Sequence, residues 1–312
     1  MKKITYLICV ILAITTFSCK EEEPEIIDDV CILMDDPVFM EFCYENFDPN
    51  KDGKISLHEA ECVYEMDLSG LNIKSLSGIE SFTNLIKLDC SNKGLKKLEI
   101  NNCKKIKYLN CESNNLTSLV ISNLSNLNTL DCGSNKIQTL DVTNCKKLEY
   151  LKCDNNEITS LDLKNLTLLK SLNCKNNHIP SLELSYSLGL ISLNCSENDI
   201  TDLNVCELSN LYMLDCSNNH LTSLDVSYLM NLSTLVCSNN EIVDLDFYEC
   251  AKLCLLNCKY NKITTIDLSN MLNLQQFYCI GNPLTLIILQ RRSTISNTDY
   301  TSYPSSIIQY PQ

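Results

Sequence analysis

The 312-residue chain has no tryptophan, three histidines, and only seven each of glycine and proline. With so few histidines and glycines, the common catalytic motifs are missing. There is no nucleophile elbow, no H-E-x-x-H pair and no glycine loop that could cradle a phosphate. Basic charge is also scarce: 25 Lys and Arg face 39 Asp and Glu, for a net charge of −14. That sign excludes nucleic acid as a partner, because phosphate binding works by displacing counterions with Lys and Arg. It equally disfavours electrostatic attraction to anionic lipid. No C-x-x-C pair occurs, which removes the usual zinc-ligand spacing. These absences leave an acidic, non-enzymatic protein.

Leucine, asparagine and cysteine are plentiful instead, and they are periodic. Leu85-Ile86-Lys87-Leu88-Asp89-Cys90 aligns with the segments ending at Cys132 and Cys216. The unit L-x-x-L-x-C-x-x-N-x-L/I-x-x-L-D-V/L recurs every 21 residues from 85, 106, 127, 148, 169, 190, 211, 232, 253 and 274. An irregular unit precedes it, with Val63, Met66, Leu68, Leu71, Ile73 and Leu76 in the corresponding places. This is the leucine-rich-repeat pattern with cysteine in place of the third leucine. It predicts a solenoid over 63–289 with a curved parallel β-sheet on the concave face. A 21-residue turn has no room for a full helix, so short strands or turns are expected on the convex face.

Side chains alternate along a strand, so Leu88 and Cys90 point inward while Lys87 and Asp89 point out. Asn114, Asn135, Asn156, Asn177, Asn198, Asn219, Asn240, Asn261 and Asn282 end the strands, where their amides can satisfy backbone groups that the turn leaves inside. Lys93 takes this place in the first full repeat, so that end is expected to be less regular.

Twenty cysteines would ordinarily suggest a disulfide framework. Ten of them, from Cys90 to Cys279, fall at the 21-residue interval and form one inward column of small buried hydrophobes. Parallel in-register side chains do not approach closely enough for a disulfide, so these thiols are expected to stay reduced. Cys103, Cys145 and Cys250 share a later core position with Leu124, Leu166 and Leu208. One disulfide among Cys31, Cys43 and Cys62 is possible, with its pairing open. His178 and His220 recur in one turn position two repeats apart, about 10 Å by strand spacing, too far for a shared metal or a catalytic pair.

Asp48-Pro49-Asn50-Lys51-Asp52-Gly53-Lys54-Ile55-Ser56-Leu57-His58-Glu59 fits the EF-hand calcium loop. Oxygen ligands stand at positions one, three and five (Asp48, Asn50, Asp52), with Gly53 at the sharp turn. Lys54 would offer its carbonyl, Ser56 could hold a water, and Glu59 would be the bidentate ligand. The alternative is an Asp/Asn-rich turn without an ion. Asp36 and Pro37 can start the entering helix, whose apolar face is Phe39, Phe42, Cys43 and Phe47. Leu57 to Met66 is the expected exiting helix. The whole reads as a small α-helical, EF-hand-like cap over 37–62, braced by Ca2+.

Residues 1–18 read as a signal peptide. Lys2 and Lys3 precede an apolar run, Ile4 to Ile14, too short to span a bilayer. Its end, Thr16-Phe17-Ser18-Cys19, resembles a bacterial lipoprotein signal, which implies lipidation at Cys19; the alternative is an ordinary cleaved signal with an incidental cysteine. The acidic run from Lys20 to Glu25 resembles the surface-export signal of some Gram-negative lipoproteins and opens an acidic tether over 19–36. The expected address is the cell outer membrane, held by a lipid anchor alone and facing the exterior.

Outward strand residues are the ones that folding does not explain. Tyr108 and Tyr150 flank Asp131, with Lys152 alongside, in a polar-aromatic patch suited to protein or sugar. Met213, Val236, Leu255, Tyr278 and Ile280 make an apolar strip, which marks either an interface or a surface covered by the tail, 290–312. The cysteine column, the period and the calcium-loop entry together resemble bacterial surface leucine-rich-repeat proteins of the internalin type, including their cysteine-ladder form, over 63–289. That resemblance implies adhesion to host or neighbouring-cell molecules through the concave face of a monomer. The alternative is an accessory lipoprotein that assembles with other envelope proteins.

Overall fold

The computed structural model describes residues 29–290 and 295–310. The signal peptide, Cys19 and the Lys20–Glu25 run lie outside the described residues. The polypeptide forms a parallel leucine-rich-repeat solenoid. One sheet of 12 strands runs along its concave side in chain order. Its first eight strands are β1 (Glu65–Asp67), β2 (Lys87–Asp89), β3 (Tyr108–Asn110), β4 (Thr129–Asp131), β5 (Tyr150–Lys152), β6 (Ser171–Asn173), β7 (Ser192–Asn194) and β8 (Met213–Asp215). The sheet continues through Thr234–Val236, Leu255–Asn257, Gln276–Tyr278 and Asn297–Thr298.

Each strand is three residues or fewer; in the three-residue strands the middle side chain, a leucine except for Met66 and Phe277, is buried while its neighbours face out, as the alternation requires. Fully burying such a leucine contributes about 1.5–3 kcal/mol, but only once a neighbouring repeat covers it. The ten periodic cysteines are buried beside these leucines, and none is bonded to another. Several thiols donate to a carbonyl of the next strand instead, as Cys90 does to Asn110 and Cys132 to Lys152, both at 3.4 Å. On the convex side, short parallel pairs such as Leu224–Asp225 with Leu245–Asp246 stand where a longer repeat would place a helix.

The asparagine ladder is the second support. Asn156 donates its amide N–H groups to the Cys132 and Cys153 carbonyls at 3.1 Å, and its oxygen accepts from Ile137 N at 2.9 Å. The same set repeats at Asn177, Asn198, Asn219 and Asn240. The first repeat is more regular than its sequence suggests. Lys93 is buried, and its ammonium caps the Leu71 carbonyl at 3.0 Å, so β1 and β2 still pair in register.

Both ends differ from the sequence-based expectation. The exiting helix spans only Leu57–Glu61; Met66 is instead the inward residue of β1. The described cap takes in residues ahead of 37 as well, since Val30 and Cys31 are buried in a 3-10 turn next to helix α1 (Pro37–Phe47). The exiting helix is α2 below. At the other end the tail is not a loose cover. It keeps the 21-residue register as one more, degenerate repeat: Asn297 and Thr298 pair with Gln276 and Phe277, and Ile308 pairs with Ile287. Its polar composition, with tyrosines at the places of Cys279 and Asn282, hides that register from a leucine count.

Candidate functional site: the concave face and the calcium-type loop

Register fixes which outward side chains meet. Tyr108, Thr129 and Tyr150 form one row across β3 to β5, and Asn110, Asp131 and Lys152 form the next. Tyr150 is 44% exposed and Lys152 is exposed, whereas Tyr108 and Asp131 are half-buried. Lys152 reaches Asp131 at 3.1 Å, and Lys87 lies over the Tyr108 ring at 5.6 Å. The bond and charge of Asp131 raise the Lys152 ammonium above its ordinary value, so it stays charged. Burial raises the Glu112 carboxyl, and the neighbouring Asp131 adds to the effect. Beside this patch lies an open groove of about 510 Å³ lined by Lys107, Tyr108, Asn128, Thr129, Glu149 and Leu168, among others.

The apolar residues toward the C-terminal end do not form one unbroken strip. Met213 and Leu255 share a row with Thr234 between them; Val236 and Tyr278 share the next, separated by Asn257. Met213 and Ile280 are exposed, Val236, Leu255 and Tyr278 are half-buried, and Lys259 sits over the Tyr278 ring at 4.9 Å. The described part of the tail adds its strand beyond Gln276–Tyr278 rather than over them.

Sequence reasoning missed a third group, at the rim. Ile191 and Tyr212 are exposed next to Met213, and both Tyr212 N and Met213 N bond to the Ile191 carbonyl. They occupy the second repeat position, where Lys107, Glu149 and Lys170 stand elsewhere. Comparing that one position along the repeats would have exposed the change from charged to apolar. Asp199, also overlooked, stands between His178 and His220, with its oxygens 3.7 and 3.9 Å from their ring nitrogens.

The loop from Asp48 to Glu59 links α1 to α2. Gly53 has φ +80°, the left-handed turn that glycine serves best. Asp48 accepts from Lys51 N and Gly53 N, Asn50 from Asp52 N, and Asp52 from Lys54 N, so the oxygen-bearing side chains wrap the turn from within. Glu59 closes a capping box, its carboxylate bonded to Ser56 N at 2.9 Å and Ser56 Oγ at 2.8 Å. Among the described residues no three His, Cys, Asp or Glu side chains form a closed metal cluster. The donor set nevertheless suits a hard cation, since it consists of oxygen donors alone. Ile55 is held from outside the loop: Val30 N donates to its carbonyl at 2.8 Å, and its own N–H reaches Asp29 at 3.0 Å.

The comparisons agree with this architecture. The family profile of the leucine-rich-repeat domain of endo-β-N-acetylglucosaminidase EndoS matches residues 61–156. No curated protein matches the chain. The functional domain of InlJ from Listeria monocytogenes, which includes a cysteine ladder, is 28% identical. The match covers 91% of this chain and 70% of that one, with a TM-score of 0.71. An internalin, InlF, from the same species is 22% identical over 86% of this chain and 96% of its own, with a TM-score of 0.65. A Leptospira interrogans leucine-rich-repeat protein is 20% identical over 78% and 80%, with a TM-score of 0.60. The chain is therefore a leucine-rich-repeat protein that resembles the Listeria internalins and shares a cysteine ladder with InlJ.

Proposed function

We propose that the chain is a surface recognition module which binds a protein or glycan partner on its concave face. The observation that carries this reading is the row of side chains on β3 to β5. Tyr108, Asp131, Tyr150 and Lys152 project from a rigid sheet, outside the core that holds the repeats together. Rigid aromatics beside a fixed charge pair offer contact area at low entropic cost. The adjoining groove, where polar side chains frame a mostly apolar surface, fits a sugar or a side chain of a partner. Met213, Val236, Leu255 and Tyr278 extend the same face and would supply apolar contacts.

In this reading a lipid on Cys19 tethers the module to the outer membrane, facing outward. No described helix is long and apolar enough to cross a membrane. Asp48, Asn50, Asp52, the Lys54 carbonyl, Ser56 through a water, and Glu59 would hold Ca2+. The ion would supply a charge that fixes the cap against the first repeat. Calcium outside cells would fill even a site with a dissociation constant of about 10⁻⁴ to 10⁻³ M.

A glycan and protein array probed with the soluble chain, and with a Tyr108→Ala/Tyr150→Ala form, tests the proposal. Binding by the first and a loss of about tenfold or more in the second supports it. Equal binding by both removes the β3–β5 patch. Capture of envelope proteins alone would favour the accessory-lipoprotein reading. Protease added to intact cells tests the address: a chain that survives until lysis does not face outward.

A further inference from the structure

Cys31 and Cys43 stand apart from the other cysteines of the described chain. Cys31 lies in the turn Val30–Leu33 and Cys43 in α1, and both are fully buried. The Cys31 side chain is the strongest influence on the Cys43 thiol. Asp29 fixes the two elements together, accepting from Cys31 N at 3.0 Å and from the Tyr44 hydroxyl at 2.7 Å. The ladder cysteines are different: they sit on successive strands, about 4.8 Å apart with parallel Cα–Cβ vectors, which a disulfide cannot bridge. Cys31 and Cys43 come from two separate elements that Asp29 bonds together, so their side chains are not held parallel on neighbouring strands. The third cysteine of this region, Cys62, is exposed at the end of α2.

We propose that Cys31 and Cys43 form a disulfide, a covalent staple of the N-terminal cap that coexists with a reduced thiol column. The bond would tie the segment that clamps Ile55 to the helix that enters the calcium-type loop. In the closed cap the hydrogen bond from Cys31 and the burial of Cys43 push the Cys43 thiol far above its ordinary value, so it is a poor nucleophile there. The bond therefore forms while the cap is still open. One cysteine thiolate attacks a sulfur of an external disulfide and releases one thiolate; the second cysteine thiolate displaces the other. Two cysteine thiols become one disulfide, and the external disulfide becomes two thiols. In the cell the oxidant is a protein disulfide of the compartment outside the cytoplasm, so formation there rests on the export reading; the pairing itself does not.

The test uses the purified chain refolded with glutathione disulfide and glutathione, alongside chain isolated from the envelope. Each sample is denatured and alkylated without reduction, then cleaved after Glu41, which separates the two cysteines. The expected result is a Cys31-peptide linked to a Cys43-peptide, two hydrogens lighter than the reduced pair, with the ladder cysteines alkylated. Alkylation of both Cys31 and Cys43 after refolding, or a link from either to Cys62, overturns the pairing. A bond present after refolding but absent from the envelope sample upholds the pairing and counts against export. As a control, Cys31→Ser should leave Cys43 alkylated and unlinked.

Discussion

The hydroxyl of Tyr303 accepts Asn282 N at 3.2 Å and turns its own proton toward the Asn282 and Cys279 carbonyls, at 2.8 and 3.1 Å. In the 21-residue register Tyr303 occupies the place of the next asparagine, and the Cys279 carbonyl is the group which that asparagine would have bonded. A tyrosine thus closes the asparagine ladder where the sequence stops supplying asparagines. Tyr303→Phe keeps the ring and deprives Asn282 N and the Asn282 carbonyl of their partner, while the Cys279 carbonyl keeps the Asn282 amide at 2.7 Å; the cost should be about 1–3 kcal/mol. Repeat proteins couple only to their neighbours, so the damage should stay local. Hydrogen exchange of residues 276–289 is expected to accelerate while the central repeats keep their protection. Unchanged exchange there would show that the tail is dispensable as a cap.

Asp36 does the corresponding work at the other end. It caps α1 through Val38 N and Phe39 N, and it also accepts from Lys74 N at 2.6 Å and Ser75 N at 3.2 Å, which docks the cap on the first repeat. Burial works against its charge, but these backbone bonds outweigh it and hold the carboxyl below the usual range. A depressed carboxyl contributes stability above its unfolded value near pH 4 and loses it as the pH falls through the folded value. The amides of Lys74 and Ser75 should therefore lose exchange protection in acid before the central repeats do. Asp36→Asn should weaken the docking at neutral pH by about 1–3 kcal/mol and abolish that acid step.

The thiol column makes the opposite prediction in alkali. Burial raises the Cys174 thiol to about 12, and raises Cys153, Cys195 and Cys216 well above 9.0. Their raised folded values mean that the stability is complete below the unfolded value and is lost as pH rises toward the folded one. Above about pH 9 each buried thiol should withdraw about 1.4 kcal/mol per pH unit. Ten such groups predict a steep alkaline unfolding that begins between about pH 9 and 10, well before lysines titrate. Circular dichroism against pH measures it. A flat signal to pH 11 would mean that the column is not made of buried thiols.

The period carried most of the fold into view. A residue repeated every 21 positions has one environment, so Leu88, Cys90 and Asn114 could each be assigned a side of the strand before any coordinates. The turn at Gly53 between two short helices was legible for a related reason, because its spacing is a local rule. What escaped lacks either kind of rule. Asp29 and Asp36 act across 26 and 38 residues on segments that do not repeat, and no pattern marks such a pair. Tyr303 kept the register but changed the chemistry. On the concave face, alternation showed which residues point outward, but only the strand pairing showed that Thr234 and Asn257 interrupt the apolar strip.

Glu59 has partners that would compete with a calcium ion. Its carboxylate is bonded to Ser56 N and Ser56 Oγ, the box that starts α2. A calcium ion would draw that carboxylate toward Asp48 and Asp52, so binding should reorganise the start of α2. Titration of the wild-type chain by calorimetry is expected to show one calcium per chain and a rise in cap stability. That gain should scale as RT ln(1 + [L]/Kd), about 2.7 kcal/mol at a hundredfold excess over Kd. Glu59→Gln keeps an acceptor for Ser56 and removes the charge that a bidentate ligand needs, so calcium uptake should vanish while α2 persists. Asp29→Asn separates the two roles further. It lies outside the loop but bonds Ile55 N, so it should weaken calcium several-fold without abolishing it. Equal uptake by wild type and Glu59→Gln would assign the loop to turn geometry alone.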